Sequence, residues 1–460
     1  MRGEYTRRTF IIGSMAALAG CATSRRVKPA RRRVSPNEKL NIACIGVGGQ
    51  GASDVMGVGG DPDAGIEGEN IVALCDVDDE RAAPIFAKFP KATRYRDFRV
   101  LLEKEKSIDA VTISTPDHMH APIAMAAMQL GKHVYVQKPM ARTIQETRVM
   151  TQAARRYGVV TQMGNQGHSG DGVRLLCEII WSGMIGQVRE VIAISDRPIW
   201  PQGLSRPAGE DPVPPSLDWD LWLGGAPYRP YVHRHPETKA ACYCPFVWRG
   251  WWDFGAGALG DMGCHILDAA NWALKLGAPV SVEATRVEGA SPDGEMAPRG
   301  SVLKYQFPAR EDMPPVTLTW HDGGMAPVMP EGIDPRVRIG DGRNGLLFLG
   351  DKDLVTTDCY AGSVTLTPTE RMKDFRRPPR MLDRVPKGNH YRNWVDACKG
   401  GAPACSHFDY AGPFTETVLL GNLALRAGKK IEWDSQNMRV LNAPEADAFV
   451  RSTYRAGWSV

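Results

Sequence analysis

The residues with the tightest spacing are Gly46, Gly48 and Gly51, a Gly-x-Gly-x-x-Gly string directly behind the apolar run Ile42–Ile45. The first glycine permits a sharp turn off a strand, and the second lets a pyrophosphate approach the backbone. The third lets a helix pack close, with its N-terminus facing the phosphates. Gly46, Gly48, Gly49, Gln50 and Gly51 are therefore candidate cofactor ligands. Asp76 closes a second apolar run that starts at Ile71. A carboxylate there binds ribose hydroxyls and repels a 2′-phosphate, which favours NAD over NADP. It stands 25 residues after Gly51, beyond the usual ~20; the Gly- and Asp-rich insertion Gly57–Asn70 accounts for the excess.

Such a site needs a parallel sheet to carry it. Strands are expected at Leu40–Gly46, Ile71–Asp76, Ala110–Ser114, His133–Val136 and Val159–Gly164. Between them, Asp79–Phe89, Asp97–Lys104, His120–Leu130 and Ile144–Tyr157 read as helices, with Gly131 and Gly158 closing the last two. Repeated βα units mean a doubly wound Rossmann sheet. After residue 165 the rhythm changes. Val280–Val287, Val302–Gln306 and Val316–Trp320 read as antiparallel strands, and helices return at His390–Cys398 and Pro413–Leu425. The expected fold is α/β: an N-terminal Rossmann domain (39–165), then an α+β domain (166–460) with a large, mainly antiparallel sheet for substrate binding and oligomerisation.

Three further motifs follow in order: Ser114-Thr-Pro-Asp-His-Met-His120, Gln137-Lys138-Pro139 and Gly260-Asp261-Met-Gly-Cys-His265. With the glycine string, they make the chain from Lys39 to about Asp434 resemble the glucose–fructose oxidoreductase / inositol dehydrogenase (Gfo/Idh/MocA) family. The resemblance implies hydride transfer between NAD and a sugar or polyol, and a homo-oligomer. It places Lys138 beside nicotinamide and the substrate hydroxyl. The family has Glu-Lys-Pro where this chain has Gln137-Lys138-Pro139, so a negative charge beside the lysine is missing. The family's Asp-x-x-x-His maps onto Asp261 and His265, which share one helix face. His265 is the candidate general base. Lys138 would hydrogen-bond the same oxygen, and Asp261 would bind an adjacent hydroxyl or orient the imidazole. Asp268 continues that face, but no further metal ligand accompanies it and no metal is expected. Thr115 and His118 are assigned to cofactor contact, Gln137 likewise, and His120 to structure. Asn165 is expected near the nicotinamide, and His168 near the substrate.

Residues 197–260 are a long Pro-, Gly- and Trp-rich segment. Six of the twelve tryptophans (Trp200, Trp219, Trp222, Trp248, Trp251, Trp252) fall within 53 residues there, beside Arg249 and Asp253. Flat apolar rings among charged hydrogen-bonding groups suit a sugar, whose faces are apolar and whose edges are hydroxyls. Arg249 is the expected substrate clamp, and Trp251 an expected flanking ring. Within the family the reaction stops at a ketone, with C3 of a sugar or glycoside as the expected carbon, or proceeds through transient oxidation to expel an aglycone. A binding protein without catalysis would be indicated by loss of the lysine or the histidine; both are present.

The first residues point elsewhere. Arg7-Arg8 precede a short apolar stretch, Ile11–Gly20, and Leu18-Ala19-Gly20-Cys21 resembles a lipoprotein processing box. Residues 1–21 are expected to be a twin-arginine signal peptide with Cys21 lipidated, and 22–38 a basic linker. That route exports folded proteins, so NAD would be loaded in the cytosol and held tightly; the destination is the periplasm or cell envelope. Residues 1–33 carry nine Lys/Arg and one acid, so the formal +4 of the chain leaves the remainder at −4. A mildly acidic body gives no footprint for nucleic acid. No apolar run is long enough to span a bilayer. The cysteines other than Cys21 lack zinc spacing and read as structural thiols.

Overall fold

The computed structural model describes residues 34–460. The signal, Cys21 and most of the basic linker lie outside them. Six short strands form the first sheet: β1 (Asn41–Ile45), β2 (Asn70–Cys75), β3 (Thr93–Tyr95), β4 (Ala110–Ile113), β5 (His133–Val136) and β6 (Thr161–Met163), in the order β3-β2-β1-β4-β5-β6 and all parallel. The residues of β1, β4, β5 and β6 are buried almost throughout, as in a parallel sheet covered on both faces. Register does the positioning. Ile45 lies opposite Cys75 on one side and Ile113 on the other, and Val136 lies opposite Ile113 and Met163. Gly46, Asp76, Ser114 and Gln137 therefore leave the sheet along one edge, where ligands of open α/β sheets bind.

The helices between these strands are set by their ends. Asp78 caps Asp79–Lys88 by accepting from the Glu80 and Arg81 amides, and Asp97 caps Phe98–Lys104. Thr143 and Glu146 form a capping box on Ile144–Tyr157, which Gly158 ends in the left-handed conformation. The insertion after Gly57 completes the first helix, Gln50–Gly59, and then makes a small hairpin, Gly60–Asp61 with Ile66–Glu67.

The second sheet has nine strands: β7 (Val188–Ile194), β8 (Ser281–Glu288), β9 (Gly300–Phe307), β10 (Val316–His321), β11 (Gly345–Gly350), β12 (Leu354–Thr357), β13 (Val364–Thr367), β14 (Ile431–Asp434) and β15 (Arg439–Val440). Their order is β13-β12-β11-β7-β10-β9-β8-β14-β15, antiparallel except between β7 and β10. The helices Asp171–Trp181, Gly257–Ala273 and Phe408–Ala427 pack against one another between the sheets. Gly263 lets two of them approach: a Cβ there would lie 3.0 Å from Val418 Cγ1. The last helix starts at Phe408, upstream of the Pro413 boundary read from sequence, because Pro413 falls in its second turn rather than at its start.

One helix crosses back. His390–Cys398 brings Trp394, Val395 and Cys398 into the same core as Leu40, Ile42, Cys44, Val55 and Tyr135 of the first sheet. Trp394 is fully buried there. Among the described residues no helix is long and apolar enough to cross a membrane.

Candidate active site

At the carboxyl edge of the first sheet lies a cavity of about 460 Å³. Its walls include Gly46, Gly48, Gly49, Gln50, Asp76, Thr115, Gln137 and Lys138 from the first sheet, and Arg249, Asp261 and His265 from the second domain. The glycines form a cradle that side chains would fill. A Cβ on Gly46 would lie 2.8 Å from the Ser114 and Thr115 backbone, at a φ of +75°. A Cβ on Gly51 would meet Gly46 O at 1.9 Å; Gly51 is off the cavity wall and serves helix–strand contact. Asp76 Oδ2 accepts from the Val47 and Gly48 amides at 2.8 and 3.3 Å, so the carboxylate also shapes the loop. Thr115 Oγ1 is buried on the cavity wall without a hydrogen-bond partner, which leaves it available to a bound polar ligand. A nucleotide-sized group fits this donor set. Gly46→Ala is expected to destabilise the fold by about 1–3 kcal/mol and to empty the site of NAD. Thermal unfolding and nucleotide content check this, and wild-type values of both would remove the close-turn reading.

The opposite end holds the reacting groups. Lys138 Nζ donates to Asp261 O at 2.7 Å and to Asp261 Oδ1 at 2.9 Å. Arg249 Nε donates to the same Oδ1 at 3.1 Å. Burial alone would raise the Asp261 carboxyl, but the charges and hydrogen bonds of Lys138 and Arg249 outweigh it and hold it below the usual carboxylate range. Asp261 is the fifth residue of its helix and not its cap. It makes no hydrogen bond to His265 and instead fixes Lys138 and Arg249. His265 lies one turn on, its Nδ1 buried and unpaired and its ring edge-on to Tyr360 at 4.8 Å. Burial, and then the charge of Lys138, lower its pKa to about 3, so it is a neutral imidazole near pH 7. Asp117, also on the wall, is pushed up by burial to about 7.

The Gln137 substitution has a structural answer. Gln137 Nε2 donates to both oxygens of Asp54, at 2.9 and 2.8 Å. Asp54 is fully buried and also accepts from Gln50 Nε2, Ser114 Oγ and Tyr391 Oη. The carboxyl group therefore sits on the Gln50–Gly59 helix, where burial raises its pKa, and a glutamate at 137 would press two buried carboxyl groups together.

Besides Gly51, four residues expected at the ligands do not reach the cavity. His118 is buried with Nε2 3.1 Å from Trp222 O, and it secures the Trp219–Leu223 turn rather than touching cofactor. Asn165 donates to Asp268 Oδ1 at 3.1 Å and accepts from Ser406 Oγ at 2.6 Å, so both ends are engaged behind the site. His168 Nδ1 lies 2.9 Å from Asp268 Oδ2, and its ring is stacked on Trp272. With Tyr410 Oη, these side chains use up Asp268 as a structural knot. Trp251 is fully buried, with Nε1 donating to Cys242 O at 2.8 Å. The rings that line the cavity beside Arg249 are Phe246 and Trp248, whose centroids lie 4.2 and 4.3 Å from its guanidinium. His120 bridges Pro139 O and Thr115 O, the structural role expected of it. Arg197, Phe246 and Tyr360 also line the cavity and were not singled out from sequence; they arrive on loops whose spacing carries no motif.

A family model described as an oxidoreductase family with a NAD-binding Rossmann fold (Gfo/Idh/MocA) matches residues 40–165. Its companion, the C-terminal alpha/beta domain of the oxidoreductase family, matches residues 178–305. The levoglucosan dehydrogenase of Pseudarthrobacter phenanthrenivorans is 27% identical over 199 residues, 43% of this chain and 41% of that protein. A glycosyl hydrolase family 109 protein of Shewanella amazonensis is 34% identical over 162 residues, 30% of this chain and 34% of that protein. These alignments thus span less than half of either relative. The WlbA dehydrogenase of Bordetella pertussis, solved with NADH and UDP-GlcNAcA, shares the fold: the TM-score is 0.58 at 17% identity, over 86% of this chain and 99% of that one. Two successive models of one family account, in order, for the sheet that carries the glycine loop and for the helix that carries Asp261 and His265. The chain therefore belongs to the Gfo/Idh/MocA oxidoreductase family, and its first sheet is that family's NAD-binding Rossmann fold.

Proposed function

We propose that the protein interconverts a ring hydroxyl and a ketone of a sugar or glycoside, with C3 as the reacting carbon. The observation that carries this is that Lys138, Asp261 and His265 share one cavity with the glycine loop and Asp76. Bound NAD supplies the hydride acceptor. His265, neutral and with an unpaired ring nitrogen, takes the hydroxyl proton as the carbonyl forms. Lys138 donates a hydrogen bond to that oxygen, and Asp261 keeps its ammonium in place. Arg249 and Trp248 hold the rest of the ring.

The similarity to glycosyl hydrolase family 109 proteins supports a second reading, in which the ketone is transient and an aglycone leaves before reduction restores NAD. The two are separated by titrating purified protein, without added cofactor, against glycosides and polyols. A rise in reduced-nicotinamide absorbance with one sugar class supports the dehydrogenase. Aglycone release without net reduction supports the redox cycle, and neither signal from NAD-loaded protein rejects both. The proposal includes tightly held NAD, a homo-oligomer, export by the twin-arginine route and anchoring through Cys21. Its support for export is the order of Arg7-Arg8, apolar stretch and Cys21.

A further inference from the structure

One end of the cofactor cavity is closed by a residue that lies beyond both family matches, Trp458. Beyond Asp76, where the adenosine of a Rossmann-bound dinucleotide lies, the wall is formed by Arg96 and Phe98 from the end of β3, by Leu217, Leu221 and Trp222 from the Trp-rich segment, and by Trp458. Trp458 packs on Phe98 with ring centroids 6.1 Å apart, and the Arg99 guanidinium lies over the indole at 4.5 Å.

The backbone that delivers Trp458 is fastened at several points. Ser452 Oγ donates to Glu146 Oε1 at 2.8 Å and accepts from Arg142 Nη2 at 3.0 Å, and Tyr454 Oη also donates to Glu146. Arg455 donates to Asp220 Oδ1 and to Asp220 O, each at 2.6 Å, and to Gly224 O. Its amide donates to Gly225 O at 3.1 Å. Gly225 leaves room for this crossing: a Cβ there would lie 2.7 Å from Tyr454 Cδ1. The Asp220 turn is itself hooked to the first sheet, because Asp218 N donates to Val77 O and Asp79 N donates to Ser216 O. One end of the segment is thus tied to the Ile144–Tyr157 helix, and its middle to the turn that forms the other side of the cavity.

We propose that Ser452–Trp458 is a strap across the adenosine end of the cavity, with Trp458 the ring against which the adenine rests. The inference rests on the NAD reading of this cavity. A flat heteroaromatic base against an indole is favourable whatever its edge pattern. A strap bound to two separate elements must be lifted before the nucleotide leaves, so it acts on dissociation more than on capture. The Trp-rich segment then has two duties: its Trp248 end faces substrate, and its Leu217–Trp222 end meets the strap.

The test uses the full chain carrying Trp458→Ala, Trp458→Phe or Arg455→Ala. Protein loaded with NAD is diluted into nucleotide-free buffer, re-isolated at intervals by rapid gel filtration, and its nucleotide quantified after denaturation. Trp458→Ala is expected to release NAD roughly tenfold faster or more, the size of one base–ring stack. Arg455→Ala, which unhooks the strap from Asp220 and Gly224 and removes a guanidinium 6.0 Å from the indole centroid, should move in the same direction, and Trp458→Phe should stay near wild type. Release at the wild-type rate from both alanine variants would overturn the strap while leaving the NAD reading intact. A wild-type protein that takes up no NAD would overturn both.

Discussion

His265→Ala is expected to lower kcat by about 10²- to 10⁴-fold, the ordinary contribution of a positioned general base, while bound NAD stays at the wild-type level. The imidazole lines the cavity, has an unpaired ring nitrogen and is kept unprotonated by burial, with its pKa lowered to about 3, so removing it takes away the site's unprotonated imidazole and no fold-spanning hydrogen bond. Lys138→Met should be similarly damaging, with an added cost in stability. Asp261 would keep Arg249 but lose its shortest charged partner, and a buried carboxylate deprived of a partner is destabilising. Single-turnover formation of reduced nicotinamide, read beside nucleotide content, separates the two effects. Turnover unchanged in both variants would end the assignment of this pair to the chemistry.

Stability should fall steeply on acidification from pH 6.5 toward 4. Burial lowers His118 and His265 to about 3, and His120 and His390 to about 4. Above pH 6.5 all four are neutral in both the folded and the unfolded chain. Below it the unfolded chain takes up protons that the folded chain refuses until pH 4 to 3, so protonation favours unfolding through that window. Each histidine contributes a slope of up to about 1.4 kcal/mol per pH unit, and four acting together are large beside a typical total stability of about 5–15 kcal/mol. Asp117 works in the opposite sense. Its carboxyl is raised to about 7, so its stabilising effect is complete below the unfolded value near 3.9 and is lost as pH rises through 7. Thermal midpoints measured from pH 4 to 8 should therefore peak between about pH 6 and 7; a flat profile between 6.5 and 4.5 would show that the histidines are not held neutral.

Five of the six parallel strands were legible because each is a short apolar burst stopped by Gly, Asp, Ser or Gln at the same sheet edge. That stopping point also gave the glycine loop and Asp76, since chemistry and strand end coincide there. Strand β3, Thr93–Tyr95, was missed: it is three residues long and has no apolar run. Strands β7 and β11 to β15 were missed as well, because the sequence after residue 165 offered no repeating unit to anchor a register.

Site residues followed the same division. Asp261 and His265 could be paired from spacing because one helix carries both. Asp54 could not be paired with Gln137, 83 residues away, because only the fold brings the Gln50–Gly59 helix beside the end of β5. Trp248 and Trp251 are nearly adjacent in sequence but have opposite fates. A single turn of 3-10 helix, Val247–Gly250, separates them, after which Trp251 bridges Met296 and turns inward. His168 and Asn165 were expected at the ligands because the end of a Rossmann strand usually faces the cofactor; Asp268 draws both the other way.

The helix His390–Cys398 has a consequence for the order of assembly. Trp394 leaves the ribosome about 230 residues after β6, roughly 10–50 s later at ordinary elongation rates. Throughout that interval the nascent first sheet has one apolar flank uncovered, and Asp54 lacks the Tyr391 hydroxyl. A truncated 39–165 fragment would keep that flank bare permanently and is expected to unfold at a lower temperature than the full chain. The module made first in time is thus closed only when most of the second has already been made.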